Sequence, residues 1–168
     1  DFIGTQDEIL AGIRELVAML PANRKENSVV PDMSILENMY LAEHVLSKKK
    51  PCISKKQEEK KYQNFKDILN IKAADSADFI TSLSGGNQQK VVFAKALLTS
   101  PSIWLCDEPT QAVDVATRQQ IHSLLHHQAA ENKAVLYVSS DLTELLEVAD
   151  EIAVMASGKI RKIFPNKN

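Results

Sequence analysis

The sequence predicts an α/β fold: a mostly parallel sheet with helices on both faces, joined to a mainly helical insertion at about residues 30–80. Three observations carry this. Beyond Ser82, short continuous apolar runs are separated by helices, the pattern of parallel strands buried on both faces. Before Ser82 the apolar residues recur at helical spacing behind capping residues. The chain has 168 residues, 44% apolar and 25% charged, with no internal repeat or low-complexity segment. That is enough apolar material for one domain with a real core, and it is unlike a disordered tail.

The elements follow in order. TQDEILAGIREL reads as a helix, with Thr5 as cap, acids in the first turn and Ile9, Ile13 and Leu16 at helical spacing. LVAML is a short strand stopped by Pro21, and ANRKENSVVPDM is a polar loop. SILENMYLAEHVL restarts a helix, with Ser34 as cap and Glu37 three residues on, a capping box. SKKKP breaks it, and the lysines at 48–50 read as a solvated loop. SKKQEEKKYQNFKDILNI is a second helix, capped by Ser54, with Tyr62, Phe65 and Leu69 on one face and charges on the solvated side. GGNQQKVVFAKALLTS reads as helix, SIWLCDEP as buried strand, VATRQQIHSLLHHQAAEN as helix and AVLYVSS as buried strand. DLTELLEVAD is a helix, and EIAVMA-SGK-IRKIF is a hairpin.

Bulk composition narrows the function classes. The 20 basic residues are nearly matched by 22 acidic ones, which gives no support to nucleic-acid binding. Cys52 and Cys106 have no C-x-x-C spacing, so neither a disulfide framework nor a zinc site is indicated, and a reducing, cytosolic setting fits. The apolar runs fall far short of the roughly 20 residues of a membrane helix, and no secretory signal opens the chain. The chain opens on Asp1, and DFIGTQDEIL has no start-like character, as expected of a piece of a longer protein.

Two stretches carry chemistry. In IWLCDEPT, a buried strand delivers Asp107 and Glu108 to its carboxyl end, where parallel α/β sheets bind ligands. One carboxylate there can hold Mg²⁺, largely through water, and its neighbour can orient or deprotonate an attacking water. Pro109 stops the strand and keeps both at the rim. An acidic loop of no chemical consequence is the other reading of those three residues alone. In SLSGGNQQK, Gly85 and Gly86 precede a helix, free backbone N–H groups converge on an anion, and Ser84 adds a hydroxyl. A serine-capped helix behind a flexible turn is the alternative for SGG alone.

Taken together, LSGGNQQK resembles the signature motif of ATP-binding-cassette (ABC) ATPases, IWLCDE their Walker B strand, and Ala112 to Asp114 their D-loop. GNQQK and DEPTQAVDVATR are similar to the second cassette of tandem ATPases that drive uptake of simple sugars such as ribose or galactose, or of nucleosides. ELVAMLPANRKENSVVPDMSILENM resembles the Q-loop region of that branch, so the likeness runs from about Leu16 to the C-terminus. The resemblance implies a P-loop NTPase-like cassette fragment. Residues 1–168 would be a partial ATPase domain, 30–80 its helical subdomain and 100–168 a portion of the α/β catalytic core. It further implies that Ser84, Gly85 and Gly86 contact the γ-phosphate of an ATP held mainly by the opposite cassette, with Gln88 shaping that loop. Asp107 would organise Mg²⁺, Glu108 would polarise the attacking water, and Asp114 would reach across the cassette dimer.

Three departures stand against the pattern. No G-x-x-x-x-G-K-[ST] phosphate loop occurs. The Q-loop glutamine position falls on Ala22, which can neither ligate Mg²⁺ nor sense a phosphate. The switch-histidine position falls on Ser140, as is frequent in the sugar-uptake branch. His44, His122, His126 and His127 are expected to be exposed or packed, Trp104 and Cys106 to be core, and Lys90 to be a surface or capping residue.

The implied function is an ATP-binding subunit of an importer. Its partners would be a second cassette, a membrane permease contacted through residues 30–80 and, indirectly, a solute-binding protein. It would lie on the cytoplasmic face of the membrane, and the chain by itself would neither bind ATP tightly nor hydrolyse it. A non-catalytic cassette that lends its signature loop to a partner is the alternative, and a soluble ABC protein without a permease is a more distant one.

Overall fold

The computed structural model describes residues 12–13, 16–22, 28–46 and 54–166. Strand β1 (Val17–Leu20) ends at Pro21 as expected. Most of the helix predicted before it, the lysines at 48–50 and Cys52 lie outside the described residues.

Helix α1 (Ile35–Leu46) starts at the predicted capping box. The Ser34 backbone N–H donates to Glu37 Oε2 at 2.8 Å, and the Glu37 N–H returns to Ser34 Oγ at 3.2 Å. Helix α2 (Lys55–Ile68) begins after Ser54, but that hydroxyl makes no cap bond. The Ser54 carbonyl alone accepts the first turn, from Gln57 and Glu58. Tyr62 and Leu69 turn inward, with Phe65 beside them, onto Ile35, Met39, Tyr40, Ile71 and Ile80. These form the core of a helical subdomain.

Helix α3 (Gly85–Leu98) belongs to two cores at once. Val91 and Ala94 face the helical cluster, whereas Val92, Phe93 and Ala96 face the sheet. A helix packed on two sides is apolar nearly all round and cannot rotate or slide without disturbing both cores. Lys90, one turn in, is buried rather than on the surface, and its Nζ donates to the Asn70 carbonyl at 3.0 Å, just past the end of α2. Its capping role stands; burial lowers its pKa below the usual lysine value.

The sheet has the order β1-β2-β3, with β2 at Ile103–Asp107 and β3 at Ala134–Val138, all parallel. Helix α4 (Val115–Ala130) connects β2 to β3, and α5 (Leu142–Val148) follows. Strands β4 (Glu151–Ala156) and β5 (Lys159–Pro165) form the predicted hairpin as a separate antiparallel pair. Trp104 and Cys106 are core, as expected, and pack with Ala18, Leu20, Phe93, Ile121 and Leu125. The Phe93 ring stacks on Trp104 with centroids 6.2 Å apart. Burial pushes the Cys106 thiol up to about 12, so it stays an inert thiol.

The expectation of helices on both faces holds for one face among the described residues. On the other, Met19 is 63% and Leu136 59% exposed, with Ile103 and Val138 also open to solvent. AVLYV reads as a doubly buried strand, yet side chains alternate along it and only Val135 and Tyr137 find cover. The continuous apolar run is therefore a statement about two faces, of which the described helices supply one.

Candidate functional site

The registers Leu20 opposite Cys106 and Asp107 opposite Val138 bring three strand ends to one edge. Ala22, just after β1, Asp107 and Glu108 at the end of β2, and Ser139 and Ser140 after β3 all lie there. This is the carboxyl edge at which parallel sheets bind ligands.

Glu108 leaves the strand with a φ of +45°, uncommon for a non-glycine residue. Its N–H donates to the Val138 carbonyl at 2.9 Å, which holds the strained turn against β3. Its side chain is met by the two residues that follow that strand: the Ser140 N–H lies 2.6 Å from Oε1 and the Ser139 hydroxyl 3.3 Å from Oε2. The Asp107 carboxylate has no hydrogen bond or ion pair among the described residues. Among the described residues no group of three or more His, Cys, Asp or Glu could hold a metal, and a free carboxylate at a strand end suits Mg²⁺, which keeps most of its waters and takes substrate phosphate oxygens. It does not fit zinc.

At the start of α3, Ser84 is the N-cap, and its hydroxyl oxygen accepts from the Asn87 side chain at 2.9 Å and, at 3.5 Å, from the Asn87 backbone. Asn87 is held in turn by Lys72, whose N–H donates to its Oδ1 at 2.8 Å. Ser84 is exposed, and its hydroxyl hydrogen takes no part in these bonds. Gln88 is buried, and its amide donates to the carbonyls of Ile80 and Leu83. It therefore braces the turn before Ser84 from inside and presents nothing to a ligand.

Asp114 caps α4, accepting from the Thr117 N–H at 2.9 Å and the Thr117 hydroxyl at 2.8 Å. Those two bonds, the backbone one first, hold its carboxyl below the usual range. A Cβ at Gly86 would stand 3.3 Å from Thr117 Oγ1 and 3.4 Å from Asp114 Oδ2. Glycine thus lets the start of α3 lie against the start of α4, and the folded chain brings Gly86 and Asp114 together. Gln89 completes the link: its amide donates to the Pro109 carbonyl at 2.7 Å, tying α3 to the turn after Glu108.

Of the histidines, His122 is packed and lies 3.0 Å from Glu144, His44 pairs with Glu58, and His127 is exposed beside Glu131. Sequence reasoning missed Gln89, Thr110, Ser139 and Glu144. Nothing marks them as a set, because they join only when β2, β3, α3 and α5 are packed.

The ABC transporter family profile matches residues 4–111. This chain belongs to the ABC transporter family. It is 39% identical over 145 residues to the ribose import ATP-binding protein RbsA of Clostridium perfringens strain 13, covering 86% of this chain and 29% of that protein. It is 38% identical over 157 residues to the xylose import ATP-binding protein XylG of Pseudomonas savastanoi pv. phaseolicola, covering 94% of this chain and 30% of that protein. The chain thus spans under a third of the length of these curated relatives. In fold it is similar to the cassette MJ0796, solved as a dimer in a post-hydrolysis state bound to ADP and Pi. The TM-score is 0.81 at 23% identity, over 99% of this chain and 69% of that one. This ABC cassette fold is mixed α/β, with a parallel sheet, as the sequence predicts. Among the described residues no helix is long and apolar enough to cross a membrane.

Proposed function

We propose that this chain is part of the ATP-binding subunit of an ABC importer that couples ATP binding and hydrolysis to uptake of a simple sugar or related solute. The observation that carries the reading is the junction of Gly86 with Asp114 next to the Pro109 turn, which packs the signature helix against the segment leaving the Asp107–Glu108 strand. The relatives, both sugar import ATP-binding proteins, support the solute class. In this reading Ser84, Gly85 and Gly86 meet the γ-phosphate of an ATP held by an opposing cassette, at a helix start that favours an anion. Asp107 would hold Mg²⁺, whose chemistry is to neutralise charge on the phosphates. Glu108, with Oε1 fixed by Ser140, would orient water by its other oxygen. Asp114 would face the partner cassette. The protein would sit on the cytoplasmic side of the membrane against a permease, through the helical subdomain at residues 30–80, with a solute-binding protein acting indirectly.

The second reading, a cassette that serves its partner's ATP and hydrolyses none of its own, draws on Ala22, which has no ligating group at the strand edge. The deciding experiment is calorimetric titration with Mg-ATP of this chain and of a longer protein carrying it. Clear binding by the longer protein and weak binding by the chain is expected. Tight binding by the chain alone would overturn the assignment of Ser84 to a partner's nucleotide.

A further inference from the structure

Glu144 is 3% exposed, on the first turn of α5. An uncompensated buried carboxylate is strongly destabilising, and this one is compensated from several separate places, Tyr137 among them. Thr110 Oγ1, two residues past Glu108, donates to Oε1; His122 Nε2 lies 3.0 Å from Oε1; the Ser139 hydroxyl lies 2.9 Å from Oε2; and Arg118 Nε stands 3.8 Å away. Fastening a seven-residue helix does not require this, since an apolar side chain of similar volume would do it as well or better.

The geometry at Ser139 shows what the carboxylate does. The Ser139 hydroxyl has one hydrogen and two carboxylates in reach: Glu144 Oε2 at 2.9 Å and Glu108 Oε2 at 3.3 Å. Its oxygen also accepts from the Asp141 N–H at 3.1 Å. The shorter contact takes the hydrogen. Ser139 is then fixed by Glu144 and Asp141 together, the turn through Ser140 is fixed with it, and the Ser140 N–H is aimed at Glu108 Oε1. Oε2 of Glu108, on a half-buried side chain, then keeps only the longer contact to the Ser139 oxygen and receives no hydrogen from it.

We propose that Glu144 is a positioning residue for Glu108, acting through Ser139 to hold the Ser140 amide on one oxygen and keep the other free. The role rests on the reading of Glu108 as the water-orienting group. It concerns only side chains that this chain itself supplies.

The test has two arms. In the first, the Ser140 amide proton is followed by NMR in this chain, with Glu108→Gln as calibration, because loss of a short bond to a charged oxygen moves an amide proton upfield. Glu144→Gln and Ser139→Ala are each expected to move it in the same direction, and the double variant no further than either alone. An unmoved Ser140 amide in a folded Glu144→Gln protein, or full additivity in the double variant, overturns the proposal. Should Glu144→Gln fail to fold, Ser139→Ala decides alone, and an unmoved amide overturns the proposal again. In the second arm, a longer protein carrying this sequence is assayed for ATP hydrolysis. Glu144→Gln is expected to lower kcat about tenfold, as misplacement of a catalytic group by a fraction of an ångström does, while KM for ATP stays unchanged. Hydrolysis by the wild type that Glu108→Gln abolishes and Glu144→Gln leaves intact overturns the positioning role alone. No hydrolysis by the wild type, with the NMR shifts as expected, overturns the functional reading and leaves the contact between the residues standing.

Discussion

The backbone N–H of Ser140 donates to Oε1 of Glu108 across 2.6 Å. The residue after β3 therefore holds the carboxylate after β2 by main chain, and its side chain is not needed for the grip. Glu108 stands at positive φ and meets β3 twice, through its own N–H to Val138 and through this bond.

Replacing the Ser140 side chain should thus matter little, and removing its N–H should matter more. Ser140→Ala is expected to unfold within about 0.5 kcal/mol of the wild type. Ser140→Pro, which lacks the donor, should lose about 1 kcal/mol or more, even allowing for the exposed setting. Urea denaturation of the three proteins checks this.

Phe93 lies between α3 and the sheet, stacked on Trp104 and fully buried. Phe93→Ala should cost about 3–5 kcal/mol, and Phe93→Leu, which keeps most of the volume, about 1–1.5 kcal/mol. Because α3 is shared by two cores, both should melt in one transition. Separate melting of the Trp104 fluorescence and the helical signal would contradict the shared-helix account.

Acid should act through Glu144. Burial raises its pKa, but hydrogen bonds from Thr110, Tyr137, Ser139 and His122 outweigh that and leave it below the ordinary 4.5. A carboxyl depressed in the folded state contributes stability above its unfolded pKa and loses it as pH falls through the folded one. Wild-type stability should therefore decline below about pH 4.5, and Glu144→Gln, less stable at neutral pH, should show a shallower decline over that window. Melting temperatures between pH 3 and 7, about the range in which carboxyls titrate, read this directly.

The open sheet face should behave as exposed apolar surface. Leu136→Thr, on β3 and away from the covered face, is expected to lower binding of a hydrophobic dye and self-association while leaving the melting temperature nearly unchanged. A large loss of stability would show that Leu136 is covered after all.

Much of the fold was legible because local rules and global packing agree. Ser34 and Glu37 meet as a capping box does, Pro21 ends β1, and Trp104 and Cys106 are core on the strand read as buried. The reading failed where one pattern allows two outcomes. Ser54 looks like a side-chain cap and serves by its carbonyl alone, while Lys90, read as a surface or capping residue, is turned inward and caps at Asn70.

By itself the sequence determined the alternation of strands and helices, the capping residues, and the placing of Ser84 to Gly86 at a helix start and of Asp107 and Glu108 at a strand end. All of these are set by neighbours within a few positions. Only the tertiary structure decided that Gly86 lies against Asp114, that Gln89 reaches Pro109, and that Glu108 is held by the Ser140 N–H with Ser139 and Glu144 behind it. Those contacts join residues from 5 to 32 positions apart. Their geometry depends on strand register and on how two cores share one helix, and no local spacing encodes either.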